Sequence, residues 1–279
     1  MLKKLSNIIE AQRGKRFFRP IVTIKDFLWW IWANTKGALA KKEVLYFSQL
    51  GQDLWVLKQT HFKKRGYFVE IGAGDGIFLS NTYALEKRFK WRGICADPVY
   101  GDELKKNRLC HIEESAIFTQ SGIPVVFKME NYLSGIKKYF DKLHTRIGKE
   151  ILVTTVSLHD LLKKYHAPKN IDYLSIDTEG SEYEIIKDFP FSEFNIQCIT
   201  IEHNANSNHP DDIKKRRNVK TLLEHNGYAQ FNSKKFIEEY SGGHLTDNFE
   251  DWYLPDPSRK LKLDVKTFVR NIKKIIKRI

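Results

Sequence analysis

GYFVEIGAGDG, residues 66–76, is the stretch that decides the fold of this chain. Tyr67–Ile71 is a short, mostly apolar run of the kind that forms a buried parallel strand, and Glu70 sets an acid near its end. Gly72, Gly74 and Gly76 follow at once, with Ala73 among them. Glycine turns tightly and lets a ligand approach the backbone, so strand, turn and helix together make a nucleotide pocket. Ile77 comes next, so the G-x-G-x-x-G pattern of nicotinamide and flavin enzymes is missing. No Lys or Arg in the turn waits to meet a pyrophosphate.

Working outward, RGICAD (92–97) reads as a second strand closed by Asp97. An acid there accepts the two hydroxyls of a ribose; the plainer reading is a cap on the turn before Pro98. Its position relative to the glycine turn favours the ribose. A third constellation is DYLSIDTEGSE (172–182), followed by ITIEHN (199–204). Each is an apolar strand ending in polar groups, Asp177 and Glu179 on one, Glu202 and His203 on the other. Ligands of open α/β sheets bind outside the carboxyl ends of the strands, so adjacent central strands would gather these four beside the glycine turn. Acids with a His hold Mg²⁺ or Mn²⁺, with Asp177, Glu202 and His203 as the expected ligands, or supply a general base. Thr178 and Glu182 read as helix capping instead.

The chain alternates between strand and helix patterns. Strands are expected at 67–71, 92–97, 109–113, 123–129, 171–176 and 196–202, with late ones at 227–231 and 252–254. Helices are expected at 52–63, 79–90, 101–107, 157–165 and 212–226. Such alternation implies an α/β, mostly parallel, doubly wound sheet with an antiparallel edge strand.

The formal charge is +13, yet residues 1–45 carry +7 and residues 259–279 carry +8, which leaves −2 for 46–258. The division expected is a basic aromatic extension (1–45), a catalytic domain (46–258) and a basic amphipathic helix (259–279). A near-neutral body argues against nucleic acid in the active site. Val265, Phe268, Val269, Ile272, Ile275 and Ile276 at helical spacing, backed by Lys and Arg, suit a membrane-surface helix or one packed on its own domain. The Trp29, Trp30, Trp32 cluster favours the membrane surface, and Phe27–Ala33 is too short to span a bilayer. Cys95, Cys110 and Cys198 form no metal-like pair and suit reduced thiols in the cytoplasm.

SQLGQD (48–53), GYFVEIGAGDG (66–76), LSNTYALEK (79–87), WRGICADP (91–98), IDYLSIDTEGSE (171–182) and IEHN (201–204) resemble, in order and spacing, the FkbM-type methyltransferases. The resemblance covers roughly 46–254, including DNFEDWYL (247–254). It implies a class I, Rossmann-like fold dependent on S-adenosyl-L-methionine (SAM), and mostly O-methylation of sugars or polyketide hydroxyls. By this likeness Glu70, Gly72, Ala73, Gly74, Gly76, Asp97, Pro98, Ser115 and Asp177 surround the cofactor. Ser48, Gln49, Gln52, Asp53 and Asn81 would line its mouth. The family more often has Glu where Asp97 stands. A more distant likeness, to metal-dependent sugar O-methyltransferases, puts Asp177-x-Glu179 and Glu202-His203 at metal and base positions; His203 departs from that pattern.

Catalysis is expected from Glu179, His203 and Asp177. The acceptor expected is a sugar hydroxyl of a surface glycan or its precursor, with the enzyme cytoplasmic and held at the inner membrane face by its basic ends. The alternatives are a natural-product O-methyltransferase and a non-catalytic SAM-fold scaffold.

Overall fold

The computed structural model describes residues 47–130, 133–143, 148–203, 210–241 and 249–258. The expectations for residues 1–45 and 259–279, the tryptophan cluster and both terminal helices included, lie outside the described residues.

The first helix, α1 (Gln52–Gln59), leads into β1 (Tyr67–Ile71), α2 (Tyr83–Phe89), β2 (Arg92–Ala96), α3 (Gly101–Asn107) and β3 (His111–Glu113). After an insertion the series resumes with α5 (Leu158–Lys164), β8 (Asn170–Ile176), α6 (Glu182–Ile186) and β9 (Asn195–Glu202). It ends with α7 (Pro210–His225), β10 (Tyr228–Phe231), α8 (Lys234–Ser241) and β11 (Glu250–Pro255). The main sheet has the order β10-β11-β9-β8-β1-β2-β3. Strands β1, β2, β3, β8 and β9 pair in parallel. The antiparallel strand is β11, which lies inside the sheet between β9 and the edge strand β10. Burial on both faces explains why β1, β2 and β8 are nearly continuous apolar runs.

The chain lays down β2 and β3 on one side of β1 and β8 and β9 on the other, so the strand order reverses between β1 and β8. That reversal opens a crevice at their carboxyl ends. Beneath it are two cores. One face buries Val69, Ile71, Leu174, Ile176, Ile199 and Ile201. The other buries Phe68, Cys95, Tyr173, Cys198, Trp55 and Trp252. Trp252 is the hub of that second core, 4.8 Å from Trp55, 5.5 Å from Phe236 and 6.4 Å from Phe231, measured between ring centroids.

The insertion is a second sheet. It contains β4 (Ala116–Phe118), β5 (Pro124–Glu130), β6 (Leu133–Ile136) and β7 (Lys149–Ser157), with α4 (Lys137–Leu143) after β6. Its order is β4-β7-β5-β6, antiparallel except for the β4–β7 pair. The strand expected at 123–129 is therefore the inner strand of a separate sheet. Its partner β7, KEILVTTVS, carries the β-branched run that marks it as a strand.

No helix among the described residues is long and apolar enough to cross a membrane. Removing the hub of the aromatic core tests the packing: Trp252→Ala is expected to cost about 3–5 kcal/mol of unfolding free energy. Urea titration followed by circular dichroism measures it, and a loss below about 1 kcal/mol would refute the hub role.

Candidate active site

The glycine turn leaves β1 in a left-handed path, with φ of 82° at Gly72, 53° at Gly74 and 79° at Gly76. Gly72 is exposed and Gly74 half-buried, so their backbone faces the crevice. A Cβ on Gly72 would lie 1.7 Å from the carbonyl oxygen of Asp177, the residue after β8. Only glycine lets the ends of β1 and β8 come this close. Ala73 is buried in the core beneath.

Glu70 lies under the turn instead of in the crevice. Its carboxylate accepts from the Asn81 amide (2.7 Å), the Ser80 hydroxyl (3.1 Å) and the Thr82 hydroxyl (2.5 Å). The guanidinium of Arg108, fully buried, stands 3.3 Å from Glu70 and 3.4 Å from Glu86. The Arg108 side chain also packs where a Cβ on Gly76 would sit. Glu70 therefore props the turn that was expected to share with it the contacts to a cofactor. Arg108 gave no signal in the sequence: it follows Lys105 and Lys106 as one more basic residue at the end of a helix.

Asp97 joins the turn to β2. One of its oxygens accepts from the amides of Val99 (2.9 Å) and Tyr100 (3.2 Å), the other from Gly74 (3.0 Å). Burial lifts its carboxyl to about 6 despite those three donors. The capping role and the placement beside the turn both hold at once. Pro98 and Ser115 are half-buried in the neighbouring loops.

The mouth residues divide. Gln49 is half-buried, but Asp53 is buried and accepts from the Ser48 hydroxyl (2.5 Å) and the Phe47 and Leu54 amides. Burial raises the Asp53 carboxyl to about 6, against those hydrogen bonds. Gln52 is buried too and donates to Glu250 at 2.5 Å. Asn81 is buried and donates to Ser175 at 2.9 Å. Gln52, Asp53 and Asn81 support the floor of the site.

Asp177, Glu179 and Glu202 converge, each offering an oxygen within 4.8 Å of the others. Glu250, opposite Glu202 in the β9–β11 register, stands behind them and was not picked out from the sequence. Glu179 is held at φ 57° with only 7% of its surface exposed, in a conformation most side chains avoid. Gly135 of β6 backs onto that turn: a Cβ there would lie 3.0 Å from the Thr178 carbonyl oxygen and 3.3 Å from Glu179 Cβ. The Glu182 carboxylate accepts from the Thr178 and Gly180 amides, the capping expected of it.

His203 does not join the acids. Successive strand residues face opposite sides, so Glu202 faces the crevice while His203 faces Asp251, with Nε2 3.7 Å from its carboxylate. The expected set of Asp177, Glu202 and His203 does not come together; the oxygens that converge are those of Asp177, Glu179 and Glu202. Burial holds the imidazole down at about 4, so it is neutral at physiological pH.

Burial and the mutual repulsion of the carboxylates push Glu202 well above the ordinary range, and burial lifts Glu250 to about 7. Asp177 rises to about 8 through crowding by protein and through Glu179, Glu250 and Glu182, although its hydrogen bond with Glu202 opposes the rise. Its side chain nonetheless meets solvent, which relieves part of that crowding; Glu202, 8% exposed, is the firmer case. Glu202 Oε2 finds no hydrogen-bond partner among the described residues.

The family model for the methyltransferase FkbM domain matches residues 70–229, more than half of the chain. The chain belongs to the FkbM methyltransferase family. No curated protein matches it in sequence. Solved structures with a partial likeness include an O-methyltransferase from Bacillus cereus in complex with SAH, at 13% identity, covering 84% of this chain and 93% of that one, TM-score 0.39. Another is the O-methyltransferase TomG from Streptomyces achromogenes in complex with SAM, at 13% identity, 80% and 89% coverage and TM-score 0.39. A precorrin-6y C5,15-methyltransferase from Geobacter metallireducens shares 14% identity over 72% and 84%, TM-score 0.35. The donor implied for an FkbM methyltransferase is SAM, and the residues fit it. The turn leaves backbone open where a side chain would block, and Asp97, ionised above about pH 6, supplies charge of the sign a sulfonium needs.

Raised carboxyl values make stability fall as pH rises. The unfolded chain releases these protons near pH 4 while the folded chain keeps them longer, so ionisation favours unfolding up to about pH 8. Glu202→Gln, measured in EDTA by differential scanning calorimetry, is expected to melt above the parent protein at pH 8 and level with it near pH 4. Equal midpoints at pH 8 would show that Glu202 carries no such burden.

Proposed function

We propose that this FkbM methyltransferase moves the methyl group of SAM to a hydroxyl oxygen, with the acid cluster taking the proton. The observation that carries the reading is the contact of Gly72 with Asp177. It brings the glycine turn and the three carboxylates to one crossing of the sheet, which supports a donor and a base side by side.

When bound, SAM supplies an electrophilic methyl carbon on a cationic sulfur. The chain must then hold the acceptor oxygen in line and remove its proton. A sugar hydroxyl is scarcely ionised at neutral pH, so a positioned base is needed. Glu179, fixed in its left-handed turn, is the base in this reading, and Asp177 and Glu202 share a proton beside it. Carboxylates also accept hydrogen bonds from neighbouring hydroxyls, which favours a sugar of a surface glycan or its precursor over a flat aromatic acceptor.

Calorimetry with SAM, followed by transfer of labelled methyl to a panel of glycan precursors and natural-product hydroxyls, tests this. Glu179→Gln is expected to lower turnover by roughly 10²–10⁴-fold while SAM affinity stays within about threefold. Unchanged turnover would remove Glu179 from the role, and absence of SAM binding would remove the whole reading. The remaining activity should climb with pH through the range in which the Asp177–Glu202 pair ionises.

The converging oxygens of Asp177, Glu179 and Glu202 favour a second reading, in which they hold Mg²⁺ or Mn²⁺. Titration with Mn²⁺ alone, read by electron paramagnetic resonance, is then expected to show one bound ion that Glu202→Gln abolishes. No binding at millimolar Mn²⁺ would leave the carboxylates as base and hydrogen-bond acceptors.

A further inference from the structure

At the edge of the sheet opposite the crevice, the loops entering β1 and β2 are stitched together. Arg65 N donates to Phe89 O at 2.9 Å, Trp91 Nε1 to Lys63 O at 2.8 Å and Arg92 N to Gly66 O at 2.9 Å. They bring Lys63, Lys64, Arg65, Arg88, Lys90 and Arg92 to one surface, all exposed. Among the described residues Asp172 pairs with Lys63, and no carboxylate pairs with the other five.

Phe62 stands among them with 44% of its surface exposed, its ring 6.4 Å from that of Phe89. The loop is not slack. Phe62 N donates to Leu57 O at 2.6 Å, His61 N to Lys58 O at 3.2 Å and Lys63 N to Thr60 O at 3.1 Å. His61, Phe62, Arg65 and Lys90 all take left-handed backbone, with φ from 51° to 59°. A domain that needed only to cap two strands would bury Phe62 and leave these positions to glycine. Here a rigid, strained tip presents one aromatic ring inside a field of uncompensated cations.

We infer that this edge docks the domain on an anionic lipid surface, the cations meeting headgroup phosphates and Phe62 entering the boundary with the acyl chains. Uncompensated Lys and Arg near such a surface add attraction residue by residue, and an apolar ring gains by entering the boundary with the acyl chains. Nucleic acid is the weaker match: single strands stack successive bases on several rings. Among the described residues Phe62 is the one strongly exposed Phe or Trp. The surface is independent of the methyltransferase reading. It would turn the crevice away from the bilayer by the length of β1, five residues or roughly 17 Å.

The test is co-sedimentation of the full chain with phosphatidylcholine vesicles, with and without phosphatidylglycerol. Two variants are compared with the parent: Lys64, Arg65, Arg88 and Lys90 all changed to Gln, and Phe62→Ser. Both should keep the parent's thermal midpoint, since the changed side chains are exposed. The charge variant is expected to lose about tenfold or more in partitioning onto anionic vesicles, and Phe62→Ser severalfold. Partitioning within twofold of the parent in both would overturn the proposal, as the rest of the chain would then suffice. So would a charge variant that keeps vesicle binding but loses binding to a 20-base-pair DNA duplex.

Discussion

Where β1 and β8 end, Gly72 lies against the carbonyl of Asp177 so closely that a single methyl group would stand 1.7 Å from the oxygen. The constraint is steric and admits no relaxation by rotamer, because both partners are backbone. It fixes how far apart the two central strands finish, and so the width of the crevice. It also ties the glycine turn, which leaves β1, to the acidic turn, which leaves β8. Widening the contact by one side chain would separate the glycine turn from the converging oxygens of Asp177, Glu179 and Glu202.

Two devices hold that contact in place. From below, Glu70 and Glu86 flank Arg108 in a fully enclosed ion pair network, with Ser80, Thr82 and the Asn81 amide completing the shell. Buried charges of this kind add little net stability but penalise any arrangement that separates them. Here the penalised arrangements are those in which the glycine turn shifts. From the side, the second sheet presses Gly135 against Thr178 and Glu179. The insertion is thus a wall of the site, and it helps to keep Glu179 in a conformation that an isolated turn would abandon.

Legibility followed burial. Tyr67–Ile71 was read to the residue, and β2, β8 and β9 to within one, because runs buried on both faces leave few alternative readings. The half-exposed β7 and the short β4 and β6 were missed, since their patterns do not stand out from loop composition. The late strands form the antiparallel end of the sheet as expected; that β11 comes before β10 in the order is a tertiary property that no local pattern carries. The glycine turn and Asp97 were legible as a unit. The reach of Glu70 was not, because nothing local announces Arg108 as its partner.

His203 parts from Glu202 for a local reason. Two consecutive residues of a strand cannot both face one crevice, so Glu202 and His203 had to part. The same alternation explains why the site is so acidic. Ser175, Thr200, Glu202 and Glu250 all stand on the face whose deeper tier is Tyr173 and Trp252. The other face keeps isoleucine and leucine along β1, β8 and β9, with Asp251 of β11 level with Ile201 and His203 just past the end of β9. Carboxylates crowded on one apolar tier raise one another's affinity for protons. Glu202 and Glu250 therefore hold their protons above the ordinary carboxylate range as a consequence of strand register, and the register is fixed by the cores below.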